Sequence, residues 1–212
     1  DVKIAGNART LDRVVRRDVY LAPGDLYNLT DFRDSTKKLK RSSYFENVVI
    51  EEKRIADDKM DIVVRVTEAA TGSIMLGGGY GSYDKVMVSG SVSDKNIFGS
   101  GLSLGMSADI SANSSDFTLS LKNPAINDSN YNGEVEIHNS DVDIDRTYYD
   151  STIATKGFSV SLGRQLVRDL YAGAKYKLDF VSEDYDYNDD FLESRDTTKE
   201  IYTDQDYVSS SI

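Results

Sequence analysis

Few residues in this chain have types and spacing suited to chemistry. One histidine, His138, and no cysteine among 212 residues make a Ser-His-Asp arrangement or a His/Cys metal cluster improbable. His138 shares a period-2 register with Glu134 and Glu136, and these three are expected to line water rather than to form a catalytic dyad. The run Gly77-Gly-Gly-Tyr-Gly81 invites a phosphate-loop reading, but that loop needs a helix after it, and the chain continues into Val86-Met-Val88, a strand pattern. Arg33, Lys37, Lys38 and Arg41 share a helical face read as solvated, with head-group or partner contact as the alternative. Glu183, Asp184, Asp186, Asp189, Asp190 and Glu193 form an acidic group read as a solvated loop, with divalent-cation bridging to lipopolysaccharide as its alternative. The expectation is no enzyme, no cofactor and no metal centre.

The elements that carry these residues differ along the chain. Residues 1 to 70 hold 14 Lys/Arg and 13 Asp/Glu, which leaves 11 and 23 for residues 71 to 212. The acidic second part argues against a nucleic-acid partner, because phosphate needs a basic surface. No apolar run reaches the about 18 residues of a transmembrane helix, and no signal peptide opens the chain at Asp1, so it reads as an internal fragment or a processed product. Barrel strands carry a weaker signal of about 10 alternating residues each, and that pattern remains open.

Residues 1–69 read as strand, helix, helix, strand, strand: a small α+β domain. Thr10 is the expected N-cap of a helix over Leu11 to Tyr20. Asn28 caps a second helix with Leu29, Phe32, Thr36 and Leu39 on one face. Glu46 to Arg54 and Met60 to Ala69 are the two later strands. A second part begins at residue 70, and from residue 72 the period becomes 2. Val86, Val88, Leu102, Leu104, Phe117, Leu119, Leu178 and Phe180 all fall on apolar rows, opposite rows of Ser, Gly or charge. Eight strands result, counting the glycine-weakened run Ile74, Leu76, Gly77, Gly78, Gly79, Tyr80, Gly81 and a fainter one at 205–212.

A soluble sandwich also alternates. Long apolar rows and small uncharged polar rows favour instead an antiparallel transmembrane β-sheet, a partial β-barrel with those apolar residues facing lipid. The expected links at 82–84, 111–114, 139–155 and 181–204 lie on one side, and those at 94–100, 123–130 and 165–169 on the other. Short turns on one side and two long loops on the other are the outer-membrane pattern.

Gly6-Asn7, Val15-Arg-Arg-Asp18, Lys38 to Val48 and Asp61 to Glu68 together resemble a POTRA domain. Thr71-Gly-Ser, Gly77-x-Gly-Tyr-Gly81, Asp94-x-Asn-x-x-Gly-x-Gly101 and Asn123-Pro124 then resemble the start of the barrel in the BamA family of outer-membrane assembly factors. The resemblance covers roughly residues 1 to 180. Members carry several POTRA repeats and about twice the strands, and the family's later Arg-Gly-Phe motif does not occur here. The resemblance implies a first barrel strand, residues 72–81, that acts as a weak lateral gate. It also implies a client- or partner-pairing POTRA edge at Val48, Val49, Ile50 and Glu51. The implied partners are unfolded outer-membrane clients, accessory assembly lipoproteins and outer-membrane lipid, with the POTRA domain in the periplasm. Open edges would let the chain self-associate. A POTRA-containing secretion pore or passive channel and a soluble adhesin-like sandwich are the alternatives.

Overall fold

The strand-helix-helix-strand-strand order at the N-terminus follows from where its valines and isoleucines recur. The computed structural model describes residues 1–57, 59–146, 149–168, 170–187 and 202–212. β1 (Val2–Ala5), α1 (Asp12–Arg16), α2 (Leu29–Arg41), β2 (Phe45–Ala56) and β3 (Lys59–Glu68) make up this part. β3 is central in a three-stranded sheet, with β1 parallel to it and β2 antiparallel. Its alternation buries Ile62, Val64 and Val66 on one face, where they join Val14 and Val15 of α1, Leu39 of α2, and Val2, Leu21, Tyr44, Phe45 and Val48 in one core. At about 1.5–3 kcal/mol per fully buried aliphatic side chain, this core holds the domain together.

The helices differ from expectation in two respects. α1 spans only Asp12–Arg16, and its N-cap is Leu11, whose side chain caps nothing, rather than Thr10. The Thr10 hydroxyl accepts a hydrogen bond from Asn96 Nδ2 at 2.8 Å instead, so a tertiary partner has taken the capping group. α2 begins as expected, with Asn28 Oδ1 accepting from the Thr30 amide at 2.9 Å. On its inner face Leu39 and Phe32 reach the core as expected, but Ser35 is buried with them and Leu29 is exposed. Ser35 fits inside because its hydroxyl accepts from the Tyr20 amide and donates to the Asp31 carbonyl. On the basic face, Lys38 leans inward to Asp18 at 3.3 Å and lies over the Tyr20 ring.

β4 (Gly72–Gly81), β5 (Lys85–Ile97), β6 (Leu102–Ile110), β7 (Ser114–Asn123), β8 (Tyr131–Asp145), β9 (Tyr149–Val167), β10 (Leu170–Tyr187) and β11 (Gln205–Ser211) form one eight-stranded sheet in sequential order. This excludes the sandwich, which needs two packed sheets. The sheet is an antiparallel partial barrel, with β4 at one end of the order and β11 at the other.

The expected long loop at 139–155 is strand: β8 runs to Asp145 and β9 starts at Tyr149. The alternation Asp141, Val142, Asp143, Ile144, Asp145 had been masked by its acid content, which a polar face accommodates. The link expected from residue 181 likewise starts later, because β10 extends to Tyr187 and pairs Tyr187 with Tyr149 and Asp186 with Asp150. Glu183, Asp184 and Asp186 are therefore strand residues, whereas Asp189, Asp190 and Glu193 lie outside the described residues.

The chain divides into two compact units. One comprises residues 1–73, 93–104 and 122–132, and the other residues 74–92, 105–121 and 133–212.

Burial is inverted in the large sheet. Among the described residues every buried apolar side chain lies at or before Val66, while the buried side chains of the eight strands are polar: Asn96, Ser151 and Ser159. Ile74, Leu76, Val86, Val88, Leu162 and Phe180 are exposed. A water-soluble sheet has the reverse arrangement.

Candidate functional site

β4 is the end strand of the sheet and makes the least of its side chains. Ile74 is 73% and Leu76 85% exposed, and every residue from Gly72 to Tyr80 is exposed. Only β5 flanks it. Gly77, Gly78, Gly79 and Gly81 contribute no side chain to that pairing, so the strand is held mainly by its backbone ladder. A Cβ on Gly77 would lie 2.5 Å from Ser89 Oγ, and one on Gly79 would lie 3.3 Å from Met87 Cε. β4 therefore presents a run of backbone groups with little side-chain obstruction, which is the feature that admits another strand.

The second edge is β2, terminal in the small sheet. Val48, Val49, Ile50 and Glu51 all lie on it, but they divide between its faces. Val48 is 2% exposed, and Ile50 packs against the same core. Val49 is 43% exposed, and Glu51 pairs with Arg65 at 3.2 Å.

The apolar rows of the large sheet sit in register where pairing is defined. Leu178 faces Phe158 on β9, Tyr176 faces Val160, and Phe180 faces Val208 on β11. Val86, Val88, Phe117 and Phe180 are exposed, while Leu102, Leu104, Leu119 and Leu178 are half-buried between neighbours.

The polar face carries the histidine. His138 Nε2 lies 2.8 Å from Asp179 Oδ1, and Lys177 Nζ lies 2.9 Å from Asp179 Oδ2. His138 is on β8 and Asp179 on β10, and they meet over Gly157 of the intervening β9, where a Cβ would come within 2.2 Å of Asp179 Oδ1. Glu136 accepts from Ser159 and pairs with Lys175 at 3.6 Å. Rather than lining water, the His138 side chain is enclosed at 13% exposure. It forms a cross-strand polar clasp with Asp179 and Lys177.

A third assembly was not visible as a site in the sequence. Asn96, 1% exposed, donates from Nδ2 to Thr10 Oγ1 and accepts at Oδ1 from the Gly101 amide at 2.7 Å. The Leu11 amide donates to the Gly99 carbonyl at 3.0 Å. Tyr44 donates its phenol to the Gly101 carbonyl at 3.3 Å. Asp128, in the 3₁₀ turn Ile126–Asp128, lies 3.5 Å from both Arg13 and Arg17. Gly99 has φ +68°, and a Cβ there would sit 1.9 Å from the Arg9 carbonyl oxygen, so only glycine allows the two backbones this close. Signals were present in the Asp94-x-Asn-x-x-Gly-x-Gly101 pattern, but Asn96 finds Thr10 86 residues away and Gly101 finds Tyr44 57 residues away.

Residues 1–69 match the family model POTRA, described as a surface antigen variable number repeat. Over 191 residues the chain is 32% identical to the outer membrane protein assembly factor BamA of Nitratidesulfovibrio vulgaris, covering 89% of this chain and 23% of that protein. It is 31% identical over 126 residues to BamA of Neisseria meningitidis, 58% of this chain and 16% of that protein. The chain thus spans less than a quarter of these relatives. Among solved structures, BamA from Haemophilus ducreyi lacking POTRA domains 1–3 aligns with a TM-score of 0.72 at 20% identity, over 99% of this chain and 41% of that one. CdiB from Acinetobacter baumannii aligns at 0.60 and 13% identity, over 89% and 38%. At these identities the structural likeness speaks for the fold alone.

Proposed function

We propose that this BamA-like chain, a POTRA domain followed by half of a barrel sheet, belongs to a protein that folds and inserts β-barrel proteins into the bacterial outer membrane. The observation that carries this reading is β4, a glycine-rich end strand with almost no side-chain burial in a sheet whose exposed residues are apolar. An incoming client strand has unsatisfied amides and carbonyls, which are costly in hydrocarbon, and a backbone edge at membrane depth satisfies them without reading client sequence. Catalysis here is pairing, and the reading requires no reacting residue, cofactor or metal. In this picture the POTRA domain lies in the periplasm, and β2 offers Val49 and its neighbours to clients or to accessory lipoproteins.

The CdiB likeness keeps a second reading, a POTRA-containing secretion pore, in view, because the two share a fold. The intact protein, reconstituted in phospholipid vesicles, separates them. Faster insertion of an unfolded barrel client without steady single-channel conductance supports assembly. A large, stably open conductance with no effect on client insertion overturns it.

A further inference from the structure

The turn between β5 and β6 presents a phenylalanine outward on a strained backbone. Phe98 is 89% exposed and has φ +53°, a left-handed conformation that is costly for a bulky residue. Gly99 and Gly101 beside it are also left-handed, at φ +68° and +74°. Hydrogen bonds hold this shape from both sides. The Gly99 amide donates to the Asn96 carbonyl at 2.9 Å and the Ser100 amide to the Ile97 carbonyl at 3.0 Å. Asn96 Oδ1 accepts from the Gly101 amide, and the Gly99 carbonyl accepts from Leu11, in the residue just before α1. The turn is clamped to the N-terminal domain, and the Phe98 ring is left outside it. Strain of this kind persists only where the surroundings impose it, and it collects at functional positions.

The place of the turn along its strands says what the ring meets. The apolar rows end at Val92 on β5 and resume at Leu102 on β6, with Asp94, Lys95 and Asn96 between Val92 and the turn. Such a switch from apolar to polar marks the hydrocarbon boundary of a barrel sheet, where aromatic rings settle at headgroup level. The other two turns on this side of the sheet also lead into exposed apolar residues, Tyr131 opening β8 and Leu170 opening β10.

We propose that Phe98 is a membrane-interface anchor, inserting its ring among the phospholipid headgroups of the leaflet on the POTRA side. Because the turn that carries it is bonded to Thr10, Leu11 and Tyr44, the inserted ring moors the POTRA domain at the membrane surface. The ring needs no pocket: it gains by leaving water, and a turn already fixed in shape has little freedom to lose on insertion. Thr10, Asn96 and Gly99 are positioning residues, which aim the ring without touching lipid. That a bilayer surrounds the sheet rests on the outer-membrane reading above; the clamped turn does not.

The test places an indole at the tip. These 212 residues hold no tryptophan, so Phe98→Trp in the intact protein is read as the fluorescence added over wild type, in nanodiscs of phospholipid brominated either near the headgroup or near the chain end. Val88→Trp, on the apolar row of β5, is the depth reference. The Phe98→Trp indole should be quenched at least about twofold more by the shallow bromines than by the deep ones, and the Val88→Trp indole the reverse. If Val88→Trp is quenched by lipid while Phe98→Trp is quenched only by aqueous acrylamide, the anchor is overturned and the membrane reading stands. An indole at 98 shielded from both lipid and acrylamide is covered by protein, which overturns the anchor equally. No lipid quenching at either position sinks the membrane reading and the anchor with it. Adding Gly99→Ala, which drives a Cβ into the Arg9 carbonyl, or Thr10→Val, which removes only the hydroxyl bonded to Asn96, should lower the shallow quenching at least about twofold. Unchanged quenching in both shows that the ring reaches lipid without the clamp and overturns the mooring. Amide exchange of β3 reports whether Gly99→Ala has loosened the whole domain, in which case Thr10→Val decides.

Discussion

Gly77 and Gly79 lie on one face of β4, yet filling them has different costs. A side chain at Gly77 must displace the Ser89 hydroxyl, whereas one at Gly79 meets only the flexible end of Met87. Gly79→Val is therefore the cleaner substitution: it adds β propensity and packing at little steric cost. Client insertion by the intact Gly79→Val protein should slow several-fold, and insertion kinetics equal to wild type would argue against a gate role for this strand. Asn96 is the opposite kind of residue, small, polar and fully enclosed. Asn96→Ala leaves the Gly101 amide and the Thr10 hydroxyl without their partner, a cost of about 1–3 kcal/mol. The expected readout is faster exchange at the Gly101 amide and a lower denaturation midpoint. The glycine run was plain in the sequence because it violates strand composition. Asn96 was not, since an asparagine before a glycine turn looks like any turn residue until its distant partner is known.

Among elements, the joint between β3 and the loop before α1 should respond to pH. Glu68 at the end of β3 is partly desolvated, which raises its pKa. Hydrogen bonds from the Thr10 and Arg9 amides, at 2.5 and 3.0 Å to Oε1, outweigh this and hold the carboxyl below its ordinary 4.5. A depressed carboxylate pKa stabilises the fold above the unfolded value, and that contribution disappears as pH falls through the folded one. Protection of the Arg9 and Thr10 amides should therefore hold from neutrality down to about pH 4.5 and fall below it, and Glu68→Gln should be weaker at neutral pH and flat across the same range. Asp18 acts in the other direction. Burial raises its pKa despite Lys38 and Arg17, so its ionised form costs stability at neutral pH and acidification relieves this. Strand and helix order was legible from periodicity, as was the Asn28 cap. The short α1 and the long β8 and β9 were not. α1 lost its capping hydroxyl to Asn96, and the acid-rich alternation of residues 141–145 resembles a loop unless the pairing of β8 is known.

For the whole molecule, the inverted burial of the large sheet predicts its solution behaviour. With Ile74, Leu76, Val86, Val88, Leu162 and Phe180 exposed and β4 paired among the described residues with β5 alone, the 212-residue chain should associate in plain buffer and become monodisperse only in detergent or lipid. Light scattering with and without detergent decides this, and a monodisperse monomer in plain buffer would contradict a lipid-facing sheet. The sequence by itself determined that the period changes near residue 70, that eight strands follow an α+β domain, and that one of those strands is depleted of side chains. These are local properties, written in the spacing of apolar residues and glycines along a single segment. Only the tertiary structure decided that the eight strands form one sheet, that β4 ends it, that His138 is clasped to Asp179 over Gly157, and that Asn96 bonds Thr10 while Asp94 joins it to Thr71. Each of these depends on contacts between distant segments, and a hydrogen-bond partner 86 residues away leaves no periodic trace in the chain.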